Sequence, residues 1–447
     1  MSIKLPLTFQ QQWLWDAIGA NESWQCTAVH AFRLSGSLNV PLLQECLQEV
    51  VGRHDALRTH IVELDEVVWQ EIRDPEQYLL ETITVEGACS AEIAAHARHY
   101  FEDVCDRKMN LSVEPLWNAR LLNLGEDDHW LVLAMHRLIG DCASIEQTYR
   151  EVKSLYSERL EGRPSASKPP LQYGDYTVWQ QKTSVEWVNR HEPYWKRRLP
   201  EAVSLQWPVD GDVTAATAGV LGKAQCSFGK ALSADLLDLA RVKRTLPAVP
   251  MMAIYAAVLW RWCQQEDFVL PLNTAGRSTE HKSTIGYFSC ALYLRLHITG
   301  NETFTDLVSR IANEFFSSLS HQDFGRMARQ RPDLLSGTLF QWMTWHPEDM
   351  PDEVRIREFG EGMTVVPPGM TALEITVFDT VTGLHVFGSY RADRFTAKTM
   401  ARFMEDLRWT AEFFVHNHGA RIAAVAEARG EAYGTAQRPA LAVAAGT

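Results

Sequence analysis

The segment His136-Arg137-Leu138-Ile139-Gly140-Asp141-Cys142 is the part of this chain best equipped for chemistry. It closes an apolar run, and its aspartate stands four residues after a position where an imidazole would serve acyl transfer. A neutral imidazole there takes a proton from a nucleophile while the carboxylate anchors the loop. Arg137 occupies that position. A guanidinium stays protonated at any pH a protein survives, so it supplies donors and charge but accepts no proton. The frame is that of an acyl-transfer site, with a cation where the base belongs.

The flanking elements explain how such a segment is held. Leu116 to Leu122 and Trp130 to Met135 read as strands, the second so uniformly apolar that both its faces should be buried. Gly140 breaks that pattern. Ser144 is expected to cap the next helix, where Ile145, Tyr149, Val152, Leu155 and Tyr156 recur at helical spacing. The segment therefore sits on a strand-to-helix turn, a place where side chains are held rigidly at the end of a sheet.

Upstream, Pro6 to Trp15 reads as a short helix and Thr27 to Leu34 as a strand. Asn39 can cap a helix with Pro41 in its first turn, whose stripe of Leu42, Leu43, Cys46, Leu47, Val50 and Val51 stops at Gly52. Arg53-His54-Asp55-Ala56-Leu57-Arg58-Thr59 leads into a strand at Val67 to Ile72, and a helix is predicted over Ala91 to Val104. The segment from Glu161 to Pro170, rich in Pro, Gly and Ser, reads as a linker. It places a boundary between residues 1–165 and 172–420, and residues 430–447 read as a disordered tail or linker.

Bulk composition narrows the function. A chain of 447 residues is too long for one ordinary core, and a net charge of −13 with no basic stripe excludes a nucleic-acid surface. The eight cysteines are scattered, without a C-x-x-C pair or metal-ligand spacing, which points to no metal, no disulfide framework and a reducing cytoplasm. The N-terminus lacks a signal layout, and the longest apolar run, Ala248 to Trp260, is too short to span a bilayer and reads as a buried helix. His96, His99, His416 and His418 read as solvated. Most of the fifteen tryptophans are expected in the core, with Trp342 and Trp345, near His346, the ones to inspect for a surface role.

These segments together resemble the condensation domains of nonribosomal peptide synthetases, up to about residue 420. Leu7-Thr8-Phe9-Gln10-Gln11-Gln12-Trp13-Leu14-Trp15 is similar to that family's first motif, and Arg53 to Thr59 to its second. Leu171-Gln172-Tyr173-Gly174-Asp175-Tyr176 with Trp179 is similar to the segment entering the second lobe, and Tyr194-Trp195 follows it. Ile285-Gly286-Tyr287-Phe288-Ser289-Cys290-Ala291-Leu292 resembles a late motif, with Cys290 where asparagine is usual, and His321-Gln322-Asp323 resembles another.

The resemblance implies a mixed α/β (α+β) fold of two chloramphenicol-acetyltransferase-like lobes, arranged as a V-shaped pseudo-dimer around a central tunnel. It implies no cofactor, since the phosphopantetheine arm of a peptidyl or acyl carrier protein brings the substrate, and a monomer with no nucleic-acid or membrane partner. The family's central motif is His-His-x-x-x-Asp-Gly, with the second histidine tied to catalysis. Laid on this chain, His136 takes the first histidine, Arg137 the second, Asp141 the structural aspartate and Cys142 the glycine. Arg277 lies where the aspartate's ion-pair partner is expected. His136 is assigned a loop-supporting role, Arg137 a space-filling one ahead of a substrate clamp, and Cys142 a packing role ahead of a nucleophilic one. Gly140, Cys142, Ser144 and Cys290 complete the motif lining.

Three functions follow from the resemblance. The first is a platform without condensation activity, similar to the X domains that recruit haem monooxygenases, or to interface domains that recruit non-haem hydroxylases. X domains usually carry a second aspartate where this chain has Cys142. The second is a working condensation enzyme that forms an amide or ester, with Arg137 stabilising the oxyanion. The third is a coenzyme-A-dependent acyltransferase, which leans on the same missing histidine. The first is the expectation taken forward.

Overall fold

The computed structural model describes residues 2–19, 26–163, 170–199, 201–210, 220–322, 326–344 and 370–429. The chain divides into two compact units. The first holds Met1–Val188 and Ala275–Cys290; the second holds Asn189–Thr274 and Ala291–His346 together with the C-terminal part of the chain.

The first unit contains β1 (Ile3–Pro6), α1 (Phe9–Gly19), β2 (Thr27–Ser35), α2 (Val40–Arg53), β3 (Thr59–Leu64) and β4 (Val67–Ile72). It continues with β5 (Glu81–Thr84), α3 (Ser90–Asp106), β6 (Trp117–Gly125), β7 (Asp128–His136), α4 (Cys142–Leu160) and the start of α5 (Tyr173–Arg198). One antiparallel sheet has the order β1-β4-β3 and the other β2-β7-β6-β5, with β5 parallel to β6. Strand β7 lies inside the second sheet, and every residue from His129 to His136 is buried. That matches its uninterrupted apolar sequence.

Local rules account for the helices. Asn39 caps α2 by accepting the Leu42 N–H at 3.1 Å, and Leu43, Cys46, Leu47, Val50 and Val51 form the buried face. Helix α2 runs through Gly52 to Arg53, one residue past the expected stop, because His54 turns extended only after it. The aromatic rings of Phe32 on β2 and Tyr149 on α4 stack at 3.8 Å, fixing that helix on the sheet.

The second unit contains β8 (Leu221–Ser227), α6 (Gly229–Val242), α7 (Ala248–Cys263), β9 (Asp267–Thr274), β10 (Cys290–His297) and α8 (Phe304–Leu319). After these come α9 (Arg326–Gln330), β11 (Thr338–Thr344), β12 (Leu373–Thr380), β13 (Gly383–Arg391), α10 (Ala397–His416) and α11 (Ala424–Ala428). Six strands form one mixed sheet in the order β10-β9-β11-β12-β13-β8. Helix α7 is the buried helix expected from the Ala248 to Trp260 run, and it packs in one core with α8, α10 and the sheet. Trp342 is partly buried against that core, whereas Asp323, Trp345, His346 and the tail from Gly430 lie outside the described residues. Among the described residues no helix is long and apolar enough to cross a membrane, and no group of three or more His, Cys, Asp or Glu side chains could hold a metal ion.

Candidate functional site

The site is built at the end of β7, where the chain turns into α4. His136 is the last strand residue, paired with Thr27 on β2. Its side chain is buried, and its Nδ1 accepts the Leu138 N–H at 3.2 Å, so the ring proton resides on Nε2. Burial and then the neighbouring Arg137 push its pKa down to about 3. This imidazole is neutral at physiological pH and one of its nitrogens is committed to the turn.

Arg137 follows with 3% exposure, its backbone N–H donating to Cys26 O at 2.7 Å. The groups that feel its charge are held in their neutral forms. Burial drives Cys26 up to about 12 and Cys142 up to about 11, with Arg137 opposing both shifts. His30 falls to about 3 through burial and then Arg137, and buried Tyr287 is held well above its ordinary value by burial, with Arg137 again opposing. A proton acceptor beside this cation would have to gain its positive charge against both burial and repulsion.

Asp141 is the hub of the turn. It caps α4, with Oδ1 accepting the Ser144 N–H at 3.0 Å, lying 2.9 Å from Ser144 Oγ, and receiving Arg277 Nη2 at 2.5 Å. Oδ2 accepts the Phe288 N–H at 3.2 Å. The expected Asp141 to Arg277 ion pair is therefore formed. The expected capping role of Ser144 is corrected: Asp141 precedes the helix in extended backbone and caps it, while Ser144 already lies in its first turn. Ser144 instead joins α4 to the late motif, lying 2.9 Å from Gly286 O and accepting the Gly286 N–H at 3.1 Å.

Arg277 reaches this hub from the segment after β9. It also donates to Thr284 O at 2.8 Å, and its guanidinium carbon lies 4.4 Å from the centre of the Phe288 ring. Two glycines make the approach possible. At Gly140 a Cβ would lie 1.9 Å from Met135 Sδ, and at Gly276, where φ is +63°, it would lie 1.9 Å from Phe288 O. Cys142 is partly buried at the first position of α4, and Cys290 is buried.

Of the other sequence motifs, the first reaches this turn, and the rest bond to α4, to the late motif or to one another. Gln11, from the first motif, donates to Leu138 O at 2.7 Å and to Gln70 at 2.9 Å. His54, from the second, meets Glu151 of α4 at 2.9 Å. Gln172 accepts the Asp55 N–H at 2.8 Å, and the Tyr173 hydroxyl donates to Tyr287 O at 2.6 Å. In the second unit, the Trp195 indole donates to His321 O at 2.8 Å and the Tyr194 ring stacks on His321 at 4.1 Å. His99 and Asp103 repeat the four-residue spacing on α3, but both are exposed and Asp103 faces Arg120 at 3.5 Å.

Sequence reading missed Glu146. It lies one helical turn beyond Cys142 and is half-buried, with its pKa raised to about 7 by burial first and by Asp141, against Arg150 and Arg277. The i, i+4 spacing from Cys142 was the available signal.

With this geometry in hand, comparison with known proteins assigns the family: a model of the condensation domain matches residues 1–425. The chain belongs to the condensation-domain family. It is similar to chondramide synthase of Chondromyces crocatus, at 27% identity over 440 residues, which are 94% of this chain and only 11% of that synthase. Among solved structures it is similar to SgcC5 of Streptomyces globisporus, with a TM-score of 0.77, 21% identity, and coverage of 93% of this chain and 100% of that one. It is also similar to the X-domain solved in complex with OxyB from teicoplanin biosynthesis, with a TM-score of 0.74, 21% identity, and coverage of 94% and 95%. The mixed α/β fold expected from the sequence is the fold of its structural neighbours.

Proposed function

We propose that this condensation domain does not form a peptide bond and acts as a docking platform, presenting a carrier-tethered chain to a haem or non-haem tailoring oxygenase. The observation that carries this reading is Arg137: a permanent, buried cation in the seat of the proton acceptor, beside an imidazole held neutral and committed to the turn. In this reading His136 supports the loop, Arg137 fills the seat, Asp141 with Arg277 and Ser144 braces the turn, and Gly140, Cys142 and Cys290 line it. The likeness to an X-domain that was solved with OxyB supports the platform at the level of fold. The domain would act as a monomer in the cytoplasm.

A second reading keeps amide or ester formation. The intact Asp141, Arg277 and Ser144 brace favours it, because an inert loop has no need of so many bonds. Arg137 would then stabilise the tetrahedral oxyanion, the acceptor amine would lose its proton to water, and positioning would supply most of the acceleration.

The deciding experiment incubates the purified domain with model carrier-bound donor and acceptor. The platform reading expects the uncatalysed rate. Turnover that disappears in Arg137→Ala overturns it and promotes the second reading. Calorimetry or gel filtration with the oxygenase and carrier proteins of the same pathway should give a complex, and finding none counts against recruitment.

A further inference from the structure

A cavity of about 230 Å³ opens to the surface of the first unit between the end of β2, the start of α2 and the second half of α4. Its apolar walls are Leu34, Leu38, Leu43, Leu131 and Val152, joined by the ring of Tyr149, which stacks on Phe32 at 3.8 Å. Leu43, Leu131, Tyr149 and Val152 are buried, so the floor belongs to the folded core and is not a surface crease. Leu131 stands five residues before His136 on β7, which at about 3.3 Å per residue is roughly 16 Å along the strand. The cavity is therefore separate from the turn that carries Arg137.

Its polar groups set the charge at the mouth. Lys153 is exposed, and its Nζ lies 5.9 Å from the centre of the Tyr149 ring. An ammonium carries three donors, so an anion can join its existing contacts. The Tyr156 hydroxyl accepts the Asn39 N–H at 2.8 Å, which leaves its own proton to give. Arg33 also lines the cavity, with its guanidinium held by Asp128 through two hydrogen bonds of 2.8 Å. Among the described residues no Asp or Glu lines the cavity, although the chain as a whole carries −13. The mouth thus has the opposite sign to the molecule and selects an anion.

We propose that this cavity binds a small arylalkanoate, with the ring against Tyr149 and the leucines and the carboxylate on Lys153 Nζ and the Tyr156 hydroxyl. Lys153 and Tyr156 are three residues apart on α4 and share a face, so one carboxylate can meet both. Size sets the body of the ligand. A closed apolar cavity of about 150 Å³ takes benzene, so the larger space here admits one ring and a chain of two or three carbons. A flexible aliphatic chain of the same volume would lose more rotamer freedom on binding and would make no ring contact.

The test is calorimetric titration of the full chain with 3-phenylpropionate and with its neutral amide, 3-phenylpropanamide. The acid should bind wild type with a dissociation constant on the order of 0.1 mM, within reach of a ligand of this size, and about tenfold more tightly than the amide. Lys153→Met, at an exposed position that does not threaten the fold, should weaken the acid about tenfold, leave the amide unchanged and so remove the preference. Leu38→Trp, which fills the cavity from its half-buried edge, should abolish binding of both. No binding of the acid to wild type, equal binding of acid and amide, unchanged acid affinity in Lys153→Met, or undiminished binding by Leu38→Trp overturns the site. The platform reading stands or falls separately, on turnover and on complex formation.

Discussion

Arg277 meets Asp141 across 136 positions of sequence, with its Nη2 2.5 Å from the carboxylate oxygen that also caps α4. Both side chains are almost fully buried, so each offsets the hydration the other's charge loses on burial. A pair like this adds little beyond what a well-packed apolar pair would, but removing one partner strands the other charge.

Arg277→Ala should therefore destabilise the protein by about 3–5 kcal/mol. Asp141→Asn should be milder, since the amide oxygen still caps the helix. Urea unfolding of the two variants measures both effects. Equal stability of wild type and Arg277→Ala would show that the pair carries no weight.

Acid should act on the neutral histidines. His30 and His136 have folded pKa values of about 3 against an ordinary 6.5, so the unfolded chain takes up these protons first. The stability each contributes is whole above about pH 6.5 and is lost as pH falls toward 3, at about 1.4 kcal/mol per pH unit for each group. Urea midpoints between pH 7 and 4.5 should fall less steeply in His136→Gln, by close to one proton. Parallel profiles would refute the assignment of a neutral His136.

Cys142 should be a sluggish thiol. With its pKa pushed up to about 11, its thiolate fraction near pH 7.5 is about two orders of magnitude below that of an unperturbed cysteine. Site-resolved alkylation should mark exposed Cys89 long before Cys142. Arg137→Ala should slow Cys142 further, because Arg137 is the charge that lowers its pKa. Rapid labelling of Cys142 would reopen a nucleophilic role.

Gly140→Ala forces a methyl group onto Met135 Sδ and should cost about 1–3 kcal/mol. Adding Met135→Ala should return part of that loss, giving a double variant more stable than the sum of the single ones. Strict additivity in thermal unfolding would place the clash elsewhere.

Much of this molecule was legible in the order of its residues. The uninterrupted apolar run of β7, the Asn39 cap and stripe of α2, and the uniformly apolar α7 are local patterns, and burial or capping is their direct consequence. The replacement of a proton acceptor by Arg137 is likewise a fact of composition, since no fold makes a guanidinium a base at physiological pH. What sequence could not decide was which group does which job once distant segments meet. Ser144 and Asp141 are both good capping residues three positions apart, and only the place where the strand stops and the helix begins chose Asp141. Whether Gln11 would hold the Leu138 carbonyl, and whether Glu146 would titrate near neutrality, depended on burial and on charges brought in from remote positions. Hydrogen bonds and pKa values are set by neighbours in space, and those neighbours exist only after the chain has folded.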